Sequence, residues 1–286
     1  MNTSAPVVAR PAATVIVLRE HGGAVEVLMT LRHSNLQFMG GLWVFPGGAV
    51  APSDASDAAV ALVSQRDDFT CHRMRTLQGH ALPVRQCLGL AVTACRETFE
   101  ETGVLLASHV DGRPCDPEVL LRVQVQRVQI TKQPTLFLDV LAQEQLRLDL
   151  GRLIYWAHWI TPSNSPRRFD THFFAVAAPA SHEVTADSGE TTEYRWQTPA
   201  ALIEAAEQRS MPISHPTQHN LRDLQASLSR HGSLDALLRA ESSRQVIPTL
   251  PKTIQDNGRT IIVMPWEAGY ARAPGEGAPY PTEEKE

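Results

Sequence analysis

The sequence predicts an α/β protein, and three observations carry that expectation. Short Val-, Ile- and Leu-rich runs bounded by glycine turns read as strands. One stretch of apolar residues at helical spacing, over about residues 84–102, reads as a long helix with a core-facing stripe. The composition, 43% hydrophobic and 20% charged over 286 residues, is that of a globular chain and excludes disordered, collagen-like and coiled-coil classes. That length allows one embellished domain or two small ones, and either buries a core without staples.

Taken in order, residues 1–10 read as a flexible tail. Ala13–Arg19 and Val25–Arg32, joined by the turn-like His21-Gly22-Gly23, predict a hairpin. Gly40-Gly41 and Pro46-Gly47-Gly48 then punctuate the apolar Leu42–Phe45; such clusters mark tight turns or close backbone approaches. From about 52 to 83 the chain turns to Ala, Asp, Ser, Arg and Gln, which predicts a helical insertion. In the following helix Val84, Leu88, Val92, Cys95 and Phe99 fall on one stripe, and Gly103 is placed to end it in the left-handed conformation. Strands are expected at Leu153–Ile160, Thr171–Ala177, Thr191–Trp196 and Thr260–Met264, and helices at Pro199–Arg209 and Thr217–Ser229. Residues 11–205 would form the main domain and 206–271 a C-terminal extension packed on it. The Gly-, Pro- and Glu-rich 272–286 reads as a disordered tail.

Charge and cysteines narrow the class. With 26 Lys+Arg against 31 Asp+Glu the net charge is -5 and the pI about 6.1, which leaves no electrostatic footprint for nucleic acid. Cys71, Cys87, Cys95 and Cys115 form no C-x-x-C pair, so reduced, buried thiols are expected. The apolar run Ala12–Leu18 is too short to span a membrane. A soluble, cytoplasmic protein with no membrane partner is the expectation.

Arg96-Glu97-Thr98-Phe99-Glu100-Glu101-Thr102-Gly103 carries the chemistry. At about 100° per residue, Glu97, Glu100 and Glu101 cluster opposite the apolar stripe. The i,i+4 pair Glu97/Glu101 is of like charge, costing an isolated helix about 0.2–0.5 kcal/mol, and both lie at the helix end where the dipole favours cations. A solvated acidic face is the ordinary explanation. The alternative is a site for a hard divalent cation, whose charge reverses the penalty. Arg96, at i,i+4 from Glu100, is placed to orient one carboxylate.

These residues resemble the box of the Nudix hydrolases, G-x5-E-x7-R-E-U-x-E-E-x-G-U, where U is aliphatic. Arg96, Glu97, Glu100, Glu101, Gly103 and Val104 match its second half, with Thr98 at an aliphatic position. Gly48 matches the first half, but Asp54 stands where the box has Glu, and 41 residues separate it from Arg96 instead of seven. Upstream, Leu28, Thr30, Arg32, Gly41, Phe45, Pro46, Gly47 and Gly48 match the motif of the family's coenzyme A diphosphatases. Met29, His33 and Gln37 depart from it, and Gln37 removes a bidentate phosphate donor. The split box, Phe38-Met39-x-Gly41, Trp159–Pro162 and Arg167–Thr171 are most similar to the peroxisomal branch and its bacterial relatives. The ending Glu284-Lys285-Glu286 is no peroxisomal address.

The resemblance implies a Nudix α/β/α sandwich with a mixed sheet, the insertion splitting the box and the C-terminal extension decorating the domain. It implies hydrolysis of a diphosphate in a small nucleotide-derived substrate with Mg²⁺ or Mn²⁺, coenzyme A or acyl-coenzyme A first. An ADP-ribose or dinucleotide pyrophosphatase (favoured by Gln37) and a catalytically inactive binding module are the alternatives. Glu97, Glu100 and Glu101 would be metal ligands, Glu97 and Glu100 also acting in catalysis, and Gly47, Gly48 and Arg32 would contact substrate. The general base would come from the box or from Asp187, Glu190 or Glu193, with Glu190 preferred and Glu193 more simply a solvated strand edge. Phe38 and Trp43 are candidates to stack on a base, against a plain core role. His33, Arg167 and Arg168 fit structural roles at least as well as phosphate contacts. A homodimer is expected only by analogy with relatives.

Overall fold

The structure, a computed structural model, describes residues 7–63, 69, 71–180, 183–186, 189–256 and 259–277. The chain runs β1 Arg10–His21, β2 Ala24–Arg32, β3 Trp43–Val44, β4 Gly47–Ala49, α1 Asp57–Ala61 and α2 Val84–Thr102. It continues with β5 Ala107–His109, α3 Pro117–Val125, α4 Arg127–Lys132, α5 Thr135–Gln143 and β6 Leu146–Leu148. Then follow β7 Ile154–Ile160, β8 Phe169–Ala177, β9 Thr191–Gln197, α6 Pro199–Glu207, α7 His215–His231, α8 Leu234–Glu241, β10 Pro248–Thr249, β11 Lys252–Asp256 and β12 Arg259–Val263.

The central sheet orders β10-β7-β8-β1-β2-β3, with β4 also on β1 and β9 also on β2. β1 lies parallel to β8 and β10 to β7, while the other pairs are antiparallel, so the sheet is mixed as expected. Alternation along β1 builds two cores. Ala13, Val15 and Val17 face α2 through α5, whereas Ile16 and Leu18 face Leu202 of α6, Leu221 and Leu224 of α7 and Leu237 of α8. The α/β/α sandwich therefore holds. The C-terminal extension supplies much of its second helical layer and does more than decorate it.

Several boundaries differ from expectation. Arg10 already opens β1, and the Val7 carbonyl accepts from Arg168, so the tail ends earlier; residues 1–6 lie outside the described residues. Among its described residues the insertion is helical only in short pieces: a 3-10 turn at Pro52–Ala55, α1, and a 3-10 turn at Cys71–Arg73. Its apolar side chains, Leu62, Phe69 and Met74, instead fill the first core from irregular backbone. Val84 is 64% exposed and not on a core stripe. From Cys87 to Thr102 only Leu88 and Glu97 keep partial exposure, because sheet, insertion and neighbouring helices enclose α2 on all sides. α3, α4, α5 and α8 were not anticipated. Residues 272–277 are not a free tail: Ala273 is buried, and its carbonyl accepts from Lys252 Nζ at 2.9 Å. The rest of that segment lies outside the described residues.

Candidate active site

α2 delivers the three carboxylates, and its burial overturns the solvated-face explanation. Glu100 and Glu101 are 6% and 5% exposed. Gly103, at φ 73°, ends the helix by donating its N–H to the Phe99 carbonyl at 2.8 Å, as its position predicts. Arg127 from α4 donates to the Glu100 carbonyl at 2.8 Å, placing a cation at the negative end of the helix.

Two sets of acids separate here. Arg96, itself 2% exposed, takes Asp54 in a fork, Nε to Oδ1 and Nη2 to Oδ2, both at 2.9 Å. Asp54 Oδ2 also accepts from the Ala51 N–H at 2.9 Å and the Thr93 hydroxyl at 2.7 Å. Asp54 thus holds the insertion to α2 and has its oxygens spent on protein donors. Arg96 Nη1 further reaches Glu100 Oε1 and Glu97 Oε1, each at 2.9 Å. Burial would lower the Arg96 pKa, but Asp54, Glu97 and Glu100 raise it overall, so this guanidinium stays charged.

Glu97 and Glu101 turn to the glycine strand β4. A Cβ at Gly48 would lie 2.5–2.6 Å from the two Glu97 oxygens, and one at Gly47 would lie 2.6 Å from Thr14 Cα. Gly47 N–H donates to Glu101 Oε2 at 3.3 Å. Backbone contact requires glycine at 47, whereas a side chain at 48 would displace the Glu97 carboxylate. Arg32, at the end of β2, stands 3.7 Å from Glu101 Oε1 and 3.8 Å from Glu190 Oε2, and its buried Nε has no hydrogen-bond partner among the described residues. These residues meet although they come from four separate stretches of chain.

The electrostatics record an unsatisfied negative cluster. Burial raises the Glu97 pKa to about 7, with Arg96 opposing and Glu100 adding to the rise. Burial and then Glu97 push Glu101 well up, with Arg32 and the Gly47 N–H opposing. Burial also raises Glu100 against the pull of Arg96. Protein groups alone do not balance Glu97 and Glu101.

A cavity of about 470 Å³ opens beside Arg32, Gly47 and Gly48 and runs over the sheet face opposite α2. Phe38, Met39, Leu42, Phe45, Trp159, Phe169 and Phe173 line it, and the C-terminal extension closes it with His215, Pro216, Pro251 and Ile262. Phe38 packs on Phe169 with centroids 4.8 Å apart. Trp43 is core instead, 5% exposed, with Arg195 over its ring at 4.9 Å.

The remaining candidates divide as follows. Glu190 sits beside Arg32 with its side chain 57% exposed, and its carbonyl accepts from the His33 N–H at 2.8 Å. Glu193 is an exposed strand residue beside Arg195. Asp187 lies outside the described residues. His33 accepts from the Asn35 N–H at 3.1 Å, Arg167 donates to Gln37, and buried Arg168 holds the Thr161 and Val7 carbonyls, all local structural contacts. The aromatic cavity wall from β7, β8 and the extension was missed; strand alternation, with Phe169, Thr171 and Phe173 on one face, was the available signal.

A family model described as the NUDT19 Nudix domain matches residues 4–224. The chain belongs to the Nudix family. Among Nudix relatives, the acyl-coenzyme A diphosphatase NUDT19 of Xenopus laevis is 28% identical over 227 residues, which cover 70% of this chain and 59% of that protein. Its Homo sapiens counterpart is 26% identical over 239 residues, covering 71% and 62%. This chain thus spans less than two thirds of either relative. A Nudix hydrolase crystal structure from Alicyclobacillus acidocaldarius superposes with a TM-score of 0.63 at 26% identity, covering 82% of this chain and 97% of the other. The similarity to coenzyme A diphosphatases agrees with the motif upstream of the box. No helix among the described residues is long and apolar enough to cross a membrane.

Proposed function

We propose that this Nudix protein is a hydrolase dependent on Mg²⁺ or Mn²⁺ that cleaves the diphosphate bond of coenzyme A or acyl-coenzyme A. The observation that carries the reading is continuity between two unlike surfaces. An acidic glycine-flanked corner with Arg32 suits a diphosphate and its cation, and the adjoining aromatic cavity suits an acyl-pantetheine arm. The Xenopus laevis and Homo sapiens relatives are named acyl-coenzyme A diphosphatases, which supports the same substrate class.

The donor set fits a hard cation: oxygen ligands, two of them buried, with pKa values raised for want of positive charge. Glu97 and Glu101 would hold it, with the glycine backbone passing alongside. Glu100, drawn towards Arg96, would complete the set or orient a water. When bound, the cation supplies charge neutralisation on the phosphate oxygens and acidifies the attacking water. Arg32 anchors a phosphate oxygen through its uncommitted Nε. Glu190, beside Arg32 and open to solvent, accepts the proton of the attacking water. Phe38 and Trp159 fix the pantetheine or acyl arm so that the diphosphate lies against Gly47-Gly48.

The test is a substrate panel with the full chain at controlled Mn²⁺ or Mg²⁺ and product identification by mass spectrometry. The expected products from coenzyme A are 3',5'-ADP and 4'-phosphopantetheine. Turnover of ADP-ribose or NADH without coenzyme A would reject the substrate and keep the class. No turnover of any diphosphate, with ligand binding retained, would make the chain a binding module.

A further inference from the structure

We propose that His158, Asp170 and His172 form a second cation site, separate from the carboxylate corner and suited to a borderline divalent ion such as Zn²⁺. Among the described residues, theirs is the group of three ligand atoms lying within 4.8 Å of one another. The sheet creates the cluster: His158 on β7 is the direct cross-strand partner of His172 on β8, and Asp170 lies two residues before His172 on the same face. Phe169, Thr171 and Phe173 point the other way and wall the substrate cavity, so this cluster backs that wall.

The contacts converge on one carboxylate oxygen. His158 Nε2 is hydrogen-bonded to Asp170 Oδ1 through a proton that an incoming ion would displace, and His172 Nε2 aims at the same oxygen from 3.7 Å, too far for a hydrogen bond. Tyr155 OH meets His172 Nδ1 at 2.9 Å. When that nitrogen carries the proton and donates to the phenol oxygen, Nε2 presents its lone pair, the orientation outer partners impose on metal-bound histidines. Both histidines are almost fully buried, at 1% and 2% exposure, and burial pushes His172 well below the ordinary histidine value, so its ring is neutral and able to ligate. Asp170, with a side chain 34% exposed, leaves one side for a water ligand. The rings stack at 4.0 Å and 23°, so the pair must open slightly to converge on one ion. Two imidazoles and one carboxylate favour Zn²⁺ or Co²⁺ over Mg²⁺. The ion would pin β7 to β8 behind the cavity and take no part in hydrolysis.

The experiment uses the full chain carrying Glu97→Gln and Glu101→Gln, which weakens competition from the carboxylate corner, stripped of metal with chelator. Titrated Co²⁺ is expected to give the visible d–d bands of a histidine-bound, low-coordinate ion at one equivalent, displaced by Zn²⁺ and not by millimolar Mg²⁺. Zn²⁺ is expected to raise the Tm. Adding Asp170→Asn or His172→Gln should weaken binding by about 10–100-fold. Asp170→Asn is the deciding variant because its partly exposed side chain can change without unfolding the core. Absence of the bands and of the Tm rise, or binding unchanged by Asp170→Asn, would overturn the site.

Discussion

The glutamate corner and the histidine cluster are built on different scaffolds. Glu97 and Glu101 are one helical turn apart, so the helix alone brings them together and a glycine strand covers them. His158 and His172 are brought together by strand pairing, across an intervening connection. The first site carries excess negative charge that burial cannot tolerate unaided; the second sets two buried imidazoles, of which burial pushes His172 well below its ordinary value, beside one partly exposed carboxylate. Charge that destabilises the free protein marks a site for a hard ion, whereas an imidazole-rich, oriented cluster marks one for a softer ion. A related contrast runs along α2. Arg96 is matched by Asp54 and serves the fold, while Glu101, on the next turn of the helix, meets the Gly47 N–H at 3.3 Å and Arg32 at 3.7 Å.

The largest effect that would break this comparison is expected at Glu101. Glu101→Gln should cut metal-dependent turnover by about 10³-fold, comparable to losing a principal electrostatic contribution, with the circular dichroism spectrum unchanged. Activity left untouched would remove Glu101 from the ligand set.

Arg96→Met probes the structural half of the helix. It strands Asp54 and Glu100 in buried surroundings, so a loss of about 3–5 kcal/mol in denaturant unfolding is expected. A loss under 1 kcal/mol would mean that the buried fork contributes little.

Next comes pH. The folded-state pKa of Glu97, about 7, exceeds the ordinary carboxylate value of 4.5, so the folded metal-free protein holds more protons than the unfolded chain between those values. Stability is then full below about pH 4.5 and declines as pH rises through about 7, by on the order of 3 kcal/mol from this group. Glu97→Gln should flatten that decline, and Mn²⁺ should offset it at pH 8. Urea titrations across pH, with and without Mn²⁺, check both.

Gly48→Ala sharpens the contrast at smallest cost to the fold. Its methyl group would meet the Glu97 carboxylate, so metal affinity should fall about 10–100-fold, as for disturbed metal-site positioning, while Tm moves little. Metal titration of turnover measures it.

How much could be read beforehand follows from the range of each interaction. The hairpin, α2 with its Gly103 stop, β7 and β9 are local patterns and were legible. α3 and α5 carry a signal of the same local kind, with Val119, Leu120 and Val123 and later Phe137, Leu138 and Leu141 repeating at helical spacing. The insertion misled because Ala-rich composition favours helix, whereas burial of Leu62, Phe69 and Met74 on the first core fixed irregular backbone. Val84, in the first turn of α2, is exposed, and the buried run of that helix begins at Cys87.

The sequence by itself determined the acids on α2, the glycines at 47 and 48, and the β1–β2 hairpin, because each depends on neighbours within a few residues. Tertiary structure decided which acids are neutralised, which aromatics wall the cavity, and that two histidines on separate strands share one carboxylate. Those outcomes depend on burial and strand register, which set both the local dielectric and the partner across the sheet, and neither is encoded at any single position.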